Sequence, residues 1–225
     1  MALALHVSET VGEVEALLLR PDGAKWLMVL AHGAGAGMHH PFMEGISHVL
    51  AECSIATLRY QFPYMQQRRG RPDVSAVLIA TVRAAVKVAR QTAADLPLLA
   101  GGKSLGGRMT SLACGEKPPA TDMAPVRGLV FFGFPLHEAN RPSTVRAEHL
   151  TAVQVPMLFL QGTRDPLADL SLLRPVCAEL APRASLHVVD GGDHSFHVLK
   201  RSGRTETDVL NELGRTVASW ADALP

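Results

Sequence analysis

A serine between two glycines, in Gly102-Lys103-Ser104-Leu105-Gly106, stands where the apolar run Leu96–Ala100 gives way to a helical pattern carrying Leu105, Met109 and Leu112. The G-x-S-x-G spacing fits a sharp strand-to-helix corner. Such a corner strains the serine backbone and lifts its Oγ into the open, and the flanking positions must lack side chains. The amide of Leu105 then lies at a helix N-terminus, where unpaired N–H groups and the helix dipole favour a developing negative charge. These are the parts of an acyl-transfer site. Gly102-Lys103-Ser104 also ends a phosphate-binding G-x-x-x-x-G-K-[ST] pattern, but the glycine this needs at position 97 is Pro97, followed by apolar Leu98-Leu99. Nucleotide binding fails on that spacing.

A serine hydroxyl needs a base within hydrogen-bond reach, and the base needs an acid to fix its tautomer and stabilise its cation. Asp165 follows an apolar run ending at Gln161-Gly162, and His194 follows the last one, in Asp190-Gly191-Gly192-Asp193-His194-Ser195-Phe196. These are taken as acid and base. His197 is the rival base, and Asp169 or Asp193 the rival acid, although Asp169 better fits the N-cap of the helix that follows. His32-Gly33-Ala34-Gly35 closes an early apolar run and offers a second amide for an oxyanion, Ala34 first and Gly35 as the alternative.

The elements that would position these groups alternate along the chain. Val11–Arg20 alternates as a half-exposed edge strand, with Val14, Ala16 and Leu18 inward. Trp26–Ala31 is continuously apolar, as a strand covered on both faces should be. Strands are also expected at Ile55–Tyr60, Gly128–Phe134, Val155–Gly162 and Leu186–Val189. Helical spacing runs from Met43 to Cys53, Val74 to Val88, around Leu170 to Leu180 with Pro175 starting or kinking it, and Val209 to Trp220. Strands alternating with helices imply a mostly parallel sheet with helices on both faces, and active groups at the strand carboxyl ends.

With 225 residues, 47% hydrophobic, the chain is expected to form a single domain over residues 1–225. Lys and Arg number 22 against 21 acidic residues, so charge gives no reason to expect nucleic acid or a membrane surface as partner. Cys53, Cys114 and Cys177 lack metal-ligand spacing and read as buried free thiols of a reducing compartment. The N-terminus has no signal-peptide pattern and no apolar run spans a membrane, so a cytoplasmic protein is expected. Met38-His39-His40 are treated as rim residues, and no metal or cofactor is expected.

The chain resembles an α/β-hydrolase over nearly its whole length, close to the dienelactone-hydrolase-like branch. Its segments His32–Gly37 with His40-Pro41-Phe42-Met43, Gly101–Arg108, Phe132–Leu136 and Gly191–Phe196 resemble the small hydrolase-like proteins of testis-expressed protein 30 type. The resemblance implies the three-layer fold and the roles of Ser104 as nucleophile, Asp165 as acid and His194 as base. Dienelactone hydrolases carry a cysteine where this chain has Ser104, and the N-terminal part reads as abbreviated against a full eight-stranded sheet. The stretch from Leu136 to Val155 is too short for a cap domain, so an open site is expected.

The expected function is therefore hydrolysis of an ester or thioester of a small to medium acyl group, a small-molecule substrate. The alternatives are a hydrolase-fold interaction module that has lost turnover, or a peptidase of short peptides. Arg68, Arg69 and Arg71, with Arg141, Lys200 and Arg201, follow strands on the serine's face and suggest a basic rim favouring an anionic substrate.

Overall fold

The computed structural model describes all residues from Met1 to Pro225. One eight-stranded sheet runs through it, in the order β1-β2-β4-β3-β5-β6-β7-β8. Its strands are β1 Ala2–Ser8, β2 Gly12–Leu19, β3 Trp26–Ala31, β4 Ile55–Tyr60, β5 Leu98–Lys103, β6 Val126–Phe132, β7 Met157–Gly162 and β8 Ala184–Val189. From β4 through to β8 every neighbouring pair is parallel, while β1 and β2 add an antiparallel edge.

β1 corrects the expectation of an abbreviated N-terminus. Leu3, Leu5 and Val7 turn inward while Ala2, Ala4 and His6 are exposed. This alternation pairs β1 with β2, so β2 is not the edge strand that its own alternation suggested. β5 runs on through Gly101, Gly102 and Lys103 to the serine, beyond the expected end at Ala100.

The central strands bury both faces. Along β3, Leu27, Val29 and Ala31 join one core while Met28 and Leu30 join the other. The first core packs under α3 Ser75–Thr92, α4 Leu105–Cys114 and α5 Leu170–Glu179; the second under α1 Pro41–Glu52 and α6 Glu206–Asp222. The short helix α2, Pro63–Gln66, follows β4. This three-layer arrangement explains the unbroken apolar runs, since a period-two strand covered on both sides has no polar face to show. Pro175 lies inside α5, and Thr205 caps α6 through a reciprocal capping box with Asp208. Between β6 and β7 only a 3₁₀ segment, Val145–Ala152, intervenes, and no cap domain is built there.

Cys177 is buried, but Cys53 and Cys114 are only half-buried, and all the cysteines are free. Met38 is buried and not a rim residue, whereas His39 and His40 are exposed. No helix is long and apolar enough to cross a membrane.

The corner between β5 and α4 depends on glycine because β3 passes close behind it. A Cβ on Gly102 would lie 2.2 Å from Ala31 O, and one on Gly106 2.6 Å from His32 O. The clash is with the backbone of β3 and of the residue that follows it. We predict that Gly106→Ala lowers unfolding stability by about 1–3 kcal/mol, as overpacking against fixed backbone does. The readout is a reduced urea midpoint at unchanged slope. Gly70→Ala, with nothing within 4 Å of its added Cβ, serves as the neutral comparison.

Candidate active site

At the end of β5 the chain turns through Ser104 with φ 50° and ψ −117°, a conformation rare for a residue with a side chain. The corner is pinned on both sides: Ser104 N–H donates to Phe132 O on β6 at 3.1 Å, and Ser104 O accepts from Arg108 N–H at 3.1 Å. The hydroxyl is thereby presented at the carboxyl edge of the sheet, where Ser104 lines a cavity of about 670 Å³.

The loops after β7 and β8 bring two further groups to it. Asp165 is buried to its carboxylate, and Oδ1 accepts from Leu167 N–H at 2.8 Å. Its Oδ2 accepts from the amide of Gln161, the penultimate residue of β7, and from His194 Nδ1–H at 2.7 Å. A carboxylate only accepts, so Nδ1 carries the ring hydrogen and Nε2 is left as an acceptor. That nitrogen lies 2.8 Å from Ser104 Oγ. Serine, imidazole and carboxylate thus form one continuous hydrogen-bond chain.

The rival residues have other partners. Asp169 is the N-cap of α5, where Oδ1 accepts from Ser171 N–H at 2.8 Å. Asp193 Oδ1 accepts from Ser195 N–H at 2.8 Å and His197 N–H at 2.9 Å, so this carboxylate folds the turn that presents His194. His197 is largely exposed and faces Asp193 and Glu206.

Leu105 is the first residue of α4, and its N–H has no intrahelical acceptor. Ala34 lines the cavity, and its N–H makes no hydrogen bond within the chain. Its loop is fastened by His32, which the sequence reading did not single out. His32 Nε2 accepts from Phe62 N–H at 3.0 Å, and Nδ1–H donates to Gly33 O at 2.8 Å. One buried ring therefore ties the loop after β3 to the chain leaving β4. Burial pushes its pKa down to about 4, against a smaller opposing effect of the Gly33 hydrogen bond.

The cavity wall between α1 and α6 is apolar, built by Phe42, Met43, Val209 and Leu210. None of Arg68, Arg69, Arg71, Arg141, Lys200 or Arg201 lines the cavity, and the acidic residue at its edge is Glu206. The reason lies in α2, which carries the arginine loop toward β2: Gln66 Oε1 accepts from Glu15 N–H at 3.2 Å. Arg69 is then paired with Asp73 at 2.6 Å, and Arg141 with Glu138 at 3.6 Å. The basic rim expected from the sequence does not face Ser104.

Comparison with known proteins follows the same lines. The family described as "Alpha/beta hydrolase domain" matches residues 24–222. Among solved structures, the chain is similar to dienelactone hydrolase from Anabaena variabilis, with a TM-score of 0.77 at 20% identity, covering 100% of this chain and 97% of that one. It is also similar to an α/β serine hydrolase without a lid from Xanthomonas campestris, with a TM-score of 0.72 at 22% identity, covering 100% and 96%. At these identities the likeness is one of fold. A Mycobacterium tuberculosis protein provisionally named a phosphoribosyl transferase is 24% identical over 204 residues. The match takes in 89% of this chain but 41% of the length of that protein.

Buried His32 and half-buried His149 generate a test. His149, bonded through Nε2 to Ser111 Oγ at 2.8 Å, also has its pKa pushed to about 4, by burial first and then by Arg108. Between pH 6.5 and about 4 the unfolded chain binds protons at His32 and His149 that the folded chain does not. Stability is therefore present above pH 6.5 and lost as pH falls through that window. We predict a lower urea midpoint at pH 5 than at pH 7, and equal midpoints would contradict the assignment.

Proposed function

The chain belongs to the alpha/beta hydrolase domain family, and from that premise we propose that it is a serine hydrolase acting on esters or thioesters of small to medium acyl groups. The observation that carries this reading is the unbroken hydrogen-bond chain Asp165–His194–Ser104, whose serine and histidine line a cavity with an apolar wall.

In the proposed reaction Ser104 Oγ bonds to the substrate carbonyl carbon as its proton passes to His194 Nε2. Asp165 holds the other ring nitrogen and stabilises the imidazolium that forms. The carbonyl oxygen, now negative, accepts hydrogen bonds from the N–H groups of Leu105 and Ala34. Collapse breaks the bond to the leaving alcohol or thiol, which takes the proton from His194. Water then repeats the sequence on the acyl-enzyme and restores Ser104. The acyl group lies along Phe42, Met43, Val209 and Leu210. This apolar wall favours a neutral acyl chain over the anionic one that the placement of the arginines after strands suggested. The narrower resemblance to the testis-expressed protein 30 type adds no substrate to this reading.

Turnover of p-nitrophenyl esters of graded acyl length tests the proposal. Ser104→Ala should lose on the order of 10⁵ or more in kcat while keeping the wild-type unfolding midpoint. Hydrolysis retained in that variant would remove the acyl-enzyme. Asp165→Asn should cost roughly 10⁴ through the wrong imidazole tautomer. Asp169→Asn, a change at a helix cap, should leave kcat near wild type. Equal losses at the two positions would overturn the choice of acid.

A further inference from the structure

Directly before the serine lies a charge that the proposed reaction does not use. Lys103 is the last residue of β5, and the strand's alternation sends its side chain to the α1 and α6 face of the sheet. It is 9% exposed, and its Nζ is fully covered with no hydrogen-bond acceptor. Two rings close over it: Nζ lies 6.0 Å from the centroid of Phe42 and 5.7 Å from that of Phe196. The rings stack on each other at 5.8 Å and 15°. Phe196 holds this position with φ at 66°, an unusual backbone for a bulky residue.

The ammonium and the imidazole meet at Gly133. A Cβ on Gly133, itself at φ 69°, would fall 3.1 Å from Lys103 Nζ and 3.4 Å from His194 Nδ1. Nζ and the Asp165–His194 pair are thus separated by little more than one missing side chain. A buried ammonium without an acceptor is costly, and its burial lowers the pKa to about 8 although Asp165 and Asp193 both oppose the shift. The group still carries its charge at neutral pH.

A buried carboxylate on Nδ1 by itself draws a proton onto the imidazole, and an imidazolium cannot accept one from Ser104. A cation close to the same Nδ1 edge offsets that attraction. We propose that Lys103 is a positioning residue of the reaction, whose ammonium balances the charge of Asp165 and so keeps His194 Nε2 free to accept the serine proton. This rests on the acyl-enzyme reading above. The charged and titratable groups around the ring are Asp165 from the β7 loop, Asp193 from the β8 loop and Lys103 from β5. His40 before α1, His197 in the β8 loop and Glu206 at the start of α6 also line the cavity.

The test is the pH profile of kcat/KM for p-nitrophenyl acetate, a neutral ester, in the wild type, Lys103→Met and Lys103→Arg. Removing the charge should move the acid limb upward by about one pH unit, the size of a single charge acting through a partly screened interior. Lys103→Arg should leave the limb in place. An unmoved limb in Lys103→Met, whatever its overall activity, overturns the proposal. If methionine at this position does not fold, Lys103→Gln is read by the same criterion. Ser104→Ala, run alongside, keeps the two failures apart. Hydrolysis surviving there removes the acyl-enzyme reading itself, while its loss together with an unmoved limb removes only the role of Lys103.

Discussion

The closeness of β5 to β3 is the constraint on which the site depends. Parallel pairing sets Gly102 beside Ala31, and the entry to α4 brings Gly106 against the carbonyl of His32, at distances that admit no side chain. Only with bare backbone on both sides can the chain turn within a single residue. That residue, Ser104, carries the strain, of about 1–3 kcal/mol for such a backbone. Parallel strands and the cores above and below them hold it in place.

Polar groups buried around this corner are matched with few exceptions. Gln161 and the Leu167 amide fix Asp165, Asp165 fixes the tautomer of His194, and Asp193 folds the turn that carries it. His32 does the equivalent for the opposite loop. Each partner orients a neighbour, so the arrangement is set before any substrate arrives, as electrostatic preorganisation requires. The unpartnered ammonium of Lys103 stands out against this background because its neighbours are aromatic faces and not acceptors.

Much of this was legible in the residues. The unbroken apolar runs named the central strands, because a strand covered on both faces has no polar alternation to blur it. The glycine spacing marked the corner, and polar residues gathered after the strands that end at the site. What was hidden was hidden for physical reasons. In β1 half the alternation is Ala against Leu, a weak contrast. Gln161 reads as the tail of an apolar strand, and its task appears only when β7 and its following loop fold back on each other. His32 looked like part of a glycine loop, since its partner Phe62 lies a crossover away in sequence. The arginines misled because a chain position after a strand does not fix the direction of a loop, and α2 turns that loop toward β2. In the sequence Lys103 is only a letter in a phosphate-binding pattern, since alternation gives a side chain's face but not what covers it.

The central claim is that Ser104 is made nucleophilic by His194 and Asp165 acting together. The most direct measurement is the rate and position of covalent modification by a fluorophosphonate, followed by intact mass and peptide mapping. The account predicts a single adduct, on Ser104, forming at least about a thousandfold more slowly in His194→Ala. Modification at another residue, or an undiminished rate at Ser104 in His194→Ala, would contradict it.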